Sequence, residues 1–390
     1  MVDLDYGDEV FDEKAVSMVG KIRIIHFTIA NTAGGVTKSV LELWKYIDKE
    51  KFHFDFVTMS DKLDFANKLE KEGCNIYYLS AYAEEDLTLF TREVREIFTN
   101  GYDVVQLQTS WWRGFVVEEI AKEMNIPKVI IYGNNTDVHI RENQSREEAR
   151  KLHFRYREVL SENIATDFAA CSEEAAQWLY GDRIPKEKIK IIPYGVALEQ
   201  YRYDADVRKR YRAELGIGNE YVVGHVGRFA YQKNHGFLIE VFREIVREDS
   251  HVRLLLVGIG ELEDKIKAKI REYNLENKVI YTGKRDDVGG LMQAMDIFAF
   301  PSRFEGFGIV LIEAQASGLK CIVSKKIPEK ARITDNIEFL ELDKKIWADS
   351  ILKYKNGYAR EDMYSIMEQK GWGMKTYAET FEKMYENGKA

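Results

Sequence analysis

From Lys21 onward, short runs rich in β-branched and aromatic residues alternate with longer amphipathic stretches, and no other feature narrows the fold so far. The runs in the first half are Ile22 to Phe27, Phe54 to Thr58, Ile76 to Leu79, Val104 to Leu107, Val129 to Tyr132, Phe168 to Ala170 and Ile189 to Ile192. Between them apolar residues recur at helical spacing, as in Phe115, Val116, Ile120 and Met124 with Glu118, Glu119 and Lys122 interleaved. Parallel strands need crossovers of this kind, so the pattern predicts parallel sheets covered by helices. The rhythm breaks at a charged stretch, Tyr201 to Asn219, which reads as a linker. It resumes with Tyr221 to Val226, Val252 to Val257, Val279 to Tyr281, Ile297 to Phe300, Lys320 to Val323 and Glu338 to Leu340. The expected class is α/β: two Rossmann-like, doubly wound parallel-sheet domains facing a cleft. Residues 21–200 and 201–370 form the domains, after an acidic tail at 1–20 and before a final segment at 371–390. Ligands of such sheets bind beyond the carboxyl ends of the strands, so the strand-to-helix loops carry the chemistry.

Two domains agree with 390 residues at about 150 per domain. With 57 Lys+Arg against 65 Asp+Glu the net charge is −8, which argues against nucleic acid as a partner. Cys74, Cys171 and Cys321 are too far apart for a zinc or redox motif and fit a reducing cytoplasm. The N-terminus carries Asp3, Asp5, Asp8, Glu9, Asp12 and Glu13 where a signal peptide would be basic, and no apolar run has the length of a membrane span.

Three loops stand out. Asn31-Thr32-Ala33-Gly34-Gly35-Val36 follows a strand and opens a helix; its glycines let backbone N–H groups approach an anion, although a plain tight turn has the same look. A dinucleotide fingerprint needs a third glycine, which neither this loop nor Gly258-Ile259-Gly260 supplies. Gly227-Arg228-Phe229-Ala230-Tyr231-Gln232-Lys233-Asn234 brings two cations, Arg228 and Lys233, to one place at the cleft, where a diphosphate suits them. Pro301-Ser302-Arg303-Phe304-Glu305-Gly306-Phe307-Gly308 runs into the helical pattern Ile309 to Ala314, with Glu305 in the loop and Glu313 about one turn into the helix. Amides of Gly306, Phe307 and Gly308 can hold a sugar or phosphate oxygen, and a carboxylate on the helix suits a vicinal diol.

Gly34-Gly35, Gly227-Arg228 with Lys233-Asn234, and Glu305-Gly306-Phe307-Gly308 with Glu313-Ala314 together resemble family 4 of the retaining glycosyltransferases. The phrases Cys171 to Ala175, Asp296 to Ser302 and Ile312 to Gly318 are most similar to bacterial members that build exopolysaccharide or capsule. The resemblance implies a GT-B fold, a nucleotide-diphosphate sugar as donor with UDP as the nucleotide, and transfer of a hexosyl or N-acetylhexosaminyl group to a glycan or lipid-linked acceptor. No metal or other cofactor is implied. Arg228 and Lys233 would hold the diphosphate, Glu313 the ribose hydroxyls, and Glu305 with the amides after it the transferred sugar; Arg228, Lys233 and Glu305 would be the catalytic groups. Gly34 and Gly35 would close over the phosphates, and the final helix, Met374 to Glu386, would cross back onto the first domain. Two departures from the family stand out. Tyr132-Gly133-Asn134-Asn135-Thr136 lacks a histidine often found there, which leaves Asn134 and His139 as acceptor-side candidates, and Pro193-Tyr194-Gly195-Val196 replaces a commoner Pro-Asn-Gly.

Asp3-Leu4-Asp5 and Asp204-Ala205-Asp206 match the Asp-x-Asp pattern by which other glycosyltransferases bind a cation, but neither ends a strand. The basic stretch with Arg141, Arg146, Arg150, Lys151, Arg155 and Arg157 reads first as a solvated helix. Its second reading is a weak peripheral contact with an anionic membrane or a lipid-pyrophosphate acceptor, supported by Trp111 and Trp112 in the same domain. Besides a glycosyltransferase, a nucleotide-sugar epimerase or hydrolase and a catalytically silent sugar-nucleotide-binding partner fit the same scaffold.

Overall fold

The computed structural model describes residues 20–31, 35–138, 145–306 and 308–387. Seven parallel strands form the first sheet: β1 (Ile22–Ile29), β2 (Phe52–Thr58), β3 (Ile76–Tyr78), β4 (Val104–Thr109), β5 (Lys128–Gly133), β6 (Asp167–Ala170) and β7 (Ile189–Ile191), in the order β3-β2-β1-β4-β5-β6-β7. Six form the second: β8 (Tyr221–Val226), β9 (Val252–Val257), β10 (Val279–Tyr281), β11 (Ile297–Phe300), β12 (Lys320–Ser324) and β13 (Ile337–Leu340), in the order β10-β9-β8-β11-β12-β13. The strand order reverses beside β1 and beside β8, and these switch points open the crevices in which doubly wound sheets bind ligands. Every pairing is parallel, as the helical crossovers require, and Ile24, Ile25, His26 and Phe27 of β1 are all buried because helices cover both faces. These are the two Rossmann-like halves of a GT-B fold.

The charged stretch after Tyr201 is not an irregular linker. Ala205–Glu214 is a helix whose N-cap, Asp204, accepts hydrogen bonds from the N–H groups of Asp206 and Val207 at 2.8 and 2.9 Å. Arg208 and Arg212 turn inward to Asp296 at 2.6 and 3.3 Å, so much of the charge that looked solvated fastens the helix to its own sheet. At the crossing between the halves, the Val196 N–H donates to the Trp372 carbonyl (2.9 Å) and the Met374 N–H to the Val196 carbonyl (3.2 Å). A Cβ on Gly195 would come within 2.6 Å of the Tyr377 Cβ, so only glycine permits this approach. The terminal helix Met374–Glu386 then lays Tyr377, Phe381 and Tyr385 against the first sheet, with Phe381 on Tyr132 and Tyr385 on Phe54 (ring centroids 5.8 and 6.0 Å). Buried Lys128 secures its end by donating to the carbonyls of Met384 and Asn387.

Four histidines, His26, His153, His225 and His235, lie in the interior. Burial pushes His26 down to about 3, His153 and His225 to about 4, and His235 well below its ordinary value of 6.5. Above pH 7 neither the folded nor the unfolded chain protonates them, so they cost nothing. As pH falls through 6.5 the unfolded chain takes up protons that the folded chain refuses, and stability drops until the folded values are reached. Urea unfolding should therefore show a loss on the order of 1.4 kcal/mol per histidine between about pH 7.5 and about pH 5.5. A flat profile over that window would contradict the burial.

Candidate active site

The second half supplies three loops to the cleft. After β8, Gly227, Arg228 and Phe229 run beside Gly258 to Gly260, with the Gly227 N–H on the Val257 carbonyl (3.0 Å) and the Phe229 N–H on the Ile259 carbonyl (2.9 Å). A Cβ on Gly258 would sit 2.2 Å from the Gly227 oxygen, which accounts for the glycines that resembled a dinucleotide motif: they let two loops pack backbone to backbone. A short turn, Tyr231–Lys233, follows and ends at Asn234 in the left-handed region, φ 57°. The third loop, after β11, ends at Gly308 (φ 79°), the N-cap of the helix Ile309–Ala316.

Lys233 and Glu305, expected to hold different parts of one ligand, hold each other. The ammonium lies 2.7 Å from Glu305 Oε1, both side chains are largely buried, and Gln232 Nε2 donates to the other carboxylate oxygen at 3.1 Å. Arg228 is more open, with its Nε 3.9 Å from Glu261. Glu313 is buried too and accepts from Lys38 Nζ of the helix Gly35–Tyr46 at 2.5 Å. Sequence reasoning missed Lys38, although its place three residues after Gly35 puts it on the same side of that helix as the loop opening it.

The halves meet directly at Gly306. Thr136 Oγ1 donates to the Glu305 carbonyl (2.9 Å) and Ser172 Oγ to the Gly306 carbonyl (2.8 Å). A Cβ on Gly306 would lie 2.4 Å from the Asn134 oxygen. Ser110 Oγ donates to Asn134 Oδ1 (2.6 Å), while the buried Asn134 Nδ2 and Ser302 Oγ have no partner among the described residues. Gly35 and Ile309 are each the first residue of a helix, and a Cβ on Gly35 would touch the Ile309 side chain at 3.3 Å. The first residues of two helices, one from each half, thus lie against each other, and the second helix starts next to the Lys233–Glu305 pair; a helix N-terminus carries a partial positive charge. That arrangement attracts a multiply charged anion. Gly34, Phe307 and His139 lie outside the described residues.

Trp111 and Trp112 do not form an exposed anchor. Both are buried, and Trp112 Nε1 donates to the Leu179 carbonyl at 2.7 Å, because Trp178, Phe115 and the helix Arg146–Glu158 close over the loop. On that helix Arg146 and Arg150 both pair with Asp137 at 2.8 Å, and Arg157 donates to the Trp178 carbonyl. Much of the basic cluster is committed within the fold. Among the described residues no helix is long and apolar enough to cross a membrane.

Two facing Rossmann-like halves with paired carboxylates and cations in the cleft define the GT-B class of sugar-nucleotide enzymes. Residues 33–200 match the model of Glycosyltransferase Family 4 and residues 207–350 that of Glycosyl transferases group 1. The chain is 31% identical to the putative glycosyltransferase EpsF of Bacillus subtilis over 79% of its own length and 80% of that protein's. It is 24% identical to an Escherichia coli UDP-Gal:alpha-D-GlcNAc-diphosphoundecaprenol alpha-1,3-galactosyltransferase, over 78% and 79%. Among solved structures, Anabaena HepE in complex with UDP and glucose superposes with a TM-score of 0.76 at 20% identity, covering 93% of this chain and 99% of that one. The chain belongs to this glycosyltransferase family.

The contact at Gly306 generates a direct test. Gly306→Ala should force the loop off Asn134, cost about 1–3 kcal/mol of stability and lower turnover by at least roughly tenfold, since misplaced groups lose their alignment. Wild-type unfolding and turnover would show that the close approach is dispensable.

Proposed function

We propose that the protein is a retaining glycosyltransferase that moves a hexosyl or N-acetylhexosaminyl group from a UDP-sugar to a glycan or lipid-linked acceptor in exopolysaccharide or capsule assembly. The observation that carries this reading is the approach of two helix N-termini, one from each half, beside the Lys233–Glu305 pair, a setting for a diphosphate next to two buried carboxylates suited to sugar hydroxyls. The UDP named for the Anabaena neighbour and the diphosphoundecaprenol acceptor named for the Escherichia coli relative support the donor and acceptor classes. Three free, buried cysteines agree with a cytoplasmic setting. With the tryptophans buried, contact with the membrane would be peripheral and come through a lipid-linked acceptor.

In this reading the bond between the sugar's anomeric carbon and the donor phosphate breaks, with its electron pair leaving on the nucleoside diphosphate. Arg228, Lys233 and the amides of the two helix ends stabilise that charge, each worth on the order of a few kcal/mol of the barrier. The acceptor oxygen bonds to the same carbon from the departing side, and its proton passes to the leaving phosphate oxygen, so configuration is retained. Glu305 positions the transferred sugar and Glu313 takes the ribose diol. Asn134, whose Nδ2 has no partner among the described residues, serves the acceptor side.

Arg228→Ala and Lys233→Ala should each weaken donor use strongly, and wild-type rates in both would remove the phosphate assignment. Glu313→Gln should act mainly on the donor KM and Glu305→Gln mainly on kcat, with losses of roughly 1–3 kcal/mol, the range of a hydrogen bond to a charged group. The reverse partition would mean that the donor sits the other way round. Activity should survive EDTA, because protein cations neutralise the diphosphate; loss on chelation that added cation restores would reassign that work to a metal. Analysis of the product's anomeric configuration by NMR tests retention.

A further inference from the structure

Lys38 has no role in the reading above, yet it stands at its centre. Its Nζ lies 2.5 Å from Glu313 Oε1 and 2.7 Å from the Tyr201 hydroxyl, with the Tyr201 ring centroid at 5.4 Å. The three groups come from three segments: Lys38 from the first half's helix Gly35–Tyr46, Tyr201 from the crossing between the halves, and Glu313 from the second half's helix Ile309–Ala316. Tyr201 and Glu313 are buried, while the Lys38 side chain keeps 38% of its exposure. The ammonium is therefore held by its partners, not by being enclosed. The space beside the pair amounts to only ≈ 10 Å³, room for about one water. Lys38 Nζ fills the hydrogen-bonding position at Glu313 Oε1 that a ribose hydroxyl would take.

We infer that Lys38 is a positioning residue that occupies the ribose side of Glu313 until the donor arrives, and that the ribose diol must displace it. The inference rests on the assignment of Glu313 to the ribose. A buried carboxylate without a counter-ion would carry an uncompensated charge, and Lys38 supplies one to Glu313. The diol needs both carboxylate oxygens, one of which the ammonium holds, so the two partners compete. Because Lys38 belongs to one half and Glu313 to the other, exchanging lysine for ribose also trades a bond between the halves for a bond to the substrate. Donor affinity is then the difference between the two, and Lys38 sets it.

The test is isothermal titration of the full chain with UDP, with ADP and GDP run alongside. Lys38→Met keeps the length of the side chain and removes the charge; it should bind UDP roughly three- to thirtyfold more tightly than wild type. Lys38→Arg, which retains an ion pair, should stay within about twofold of wild type, and in the Glu313→Gln background the gain from Lys38→Met should shrink to less than about twofold, since no carboxylate remains to compete for. Lys38→Met binding no tighter than wild type, or a gain that persists without Glu313, would overturn the inference. Weaker binding by Lys38→Met would overturn it too, and would make Lys38 a donor-binding cation. Failure of the underlying reading looks different: Glu313→Gln alone would bind UDP as wild type does, or wild type would bind none of the three nucleotides.

Discussion

The backbone of Gly306 lies so close to the Asn134 carbonyl that no side chain fits between them, and the geometry of the cleft depends on that contact. Thr136 and Ser172 reinforce it with hydrogen bonds to the carbonyls of Glu305 and Gly306. A loop of the second half is thereby read, atom by atom, by two loops of the first. The Glu305 carboxylate and the N-terminus of the following helix inherit their positions from this backbone contact and not from their own side chains. A residue one methyl group larger would separate elements that must act within a few tenths of an ångström.

Electrostatics follow from the same closeness. Lys233 lies on Glu305 and Lys38 on Glu313, so each buried carboxylate has a cation at 2.7 or 2.5 Å. Isolated carboxylates in such a place would be costly, and pairing gives each a counter-ion and a fixed orientation. The two converging helix ends need no counter-ion of their own, since their charge is partial and spread over several N–H groups. An anion there would gain from them without displacing a side-chain counter-ion.

The periphery of the site is built for rigidity. Gly258 and Gly260 let the loop carrying Arg228 lie on its neighbour through two backbone hydrogen bonds, and Asn234 accepts from Arg303 while donating to the Pro301 carbonyl, tying the Lys233 turn to the Glu305 loop. Beneath them His225 and His235 pack edge to face, 4.6 Å apart, held neutral by burial. A second positive charge under Lys233 is thus avoided at the pH where the fold is most stable. The terminal helix and its tyrosines make the crossing between the halves part of the first core, so the two sheets are anchored together at one end and meet at Gly306 at the other.

The sequence by itself determined the strand-helix alternation, the two sheets, the loops that line the cleft and the acidic and basic residues within them, because periodicity and turn chemistry are local properties of the chain. It also carried the family resemblance at Arg228, Lys233, Glu305 and Glu313. What it left open was which of these groups touch. Lys233 and Glu305 are 72 positions apart and Lys38 and Glu313 275, so no local rule pairs them. Local reading also took Ala205–Glu214 for a linker, since a helix anchored by inward-turned arginines has the composition of a solvated one. Trp111 and Trp112 looked like an exposed anchor for the same reason: which side of a loop is covered is decided by elements remote in the chain, here Phe115, Trp178 and the helix Arg146–Glu158. Only the tertiary structure sets pairings and burial of this kind, because they depend on the packing of whole elements rather than on the residues beside them.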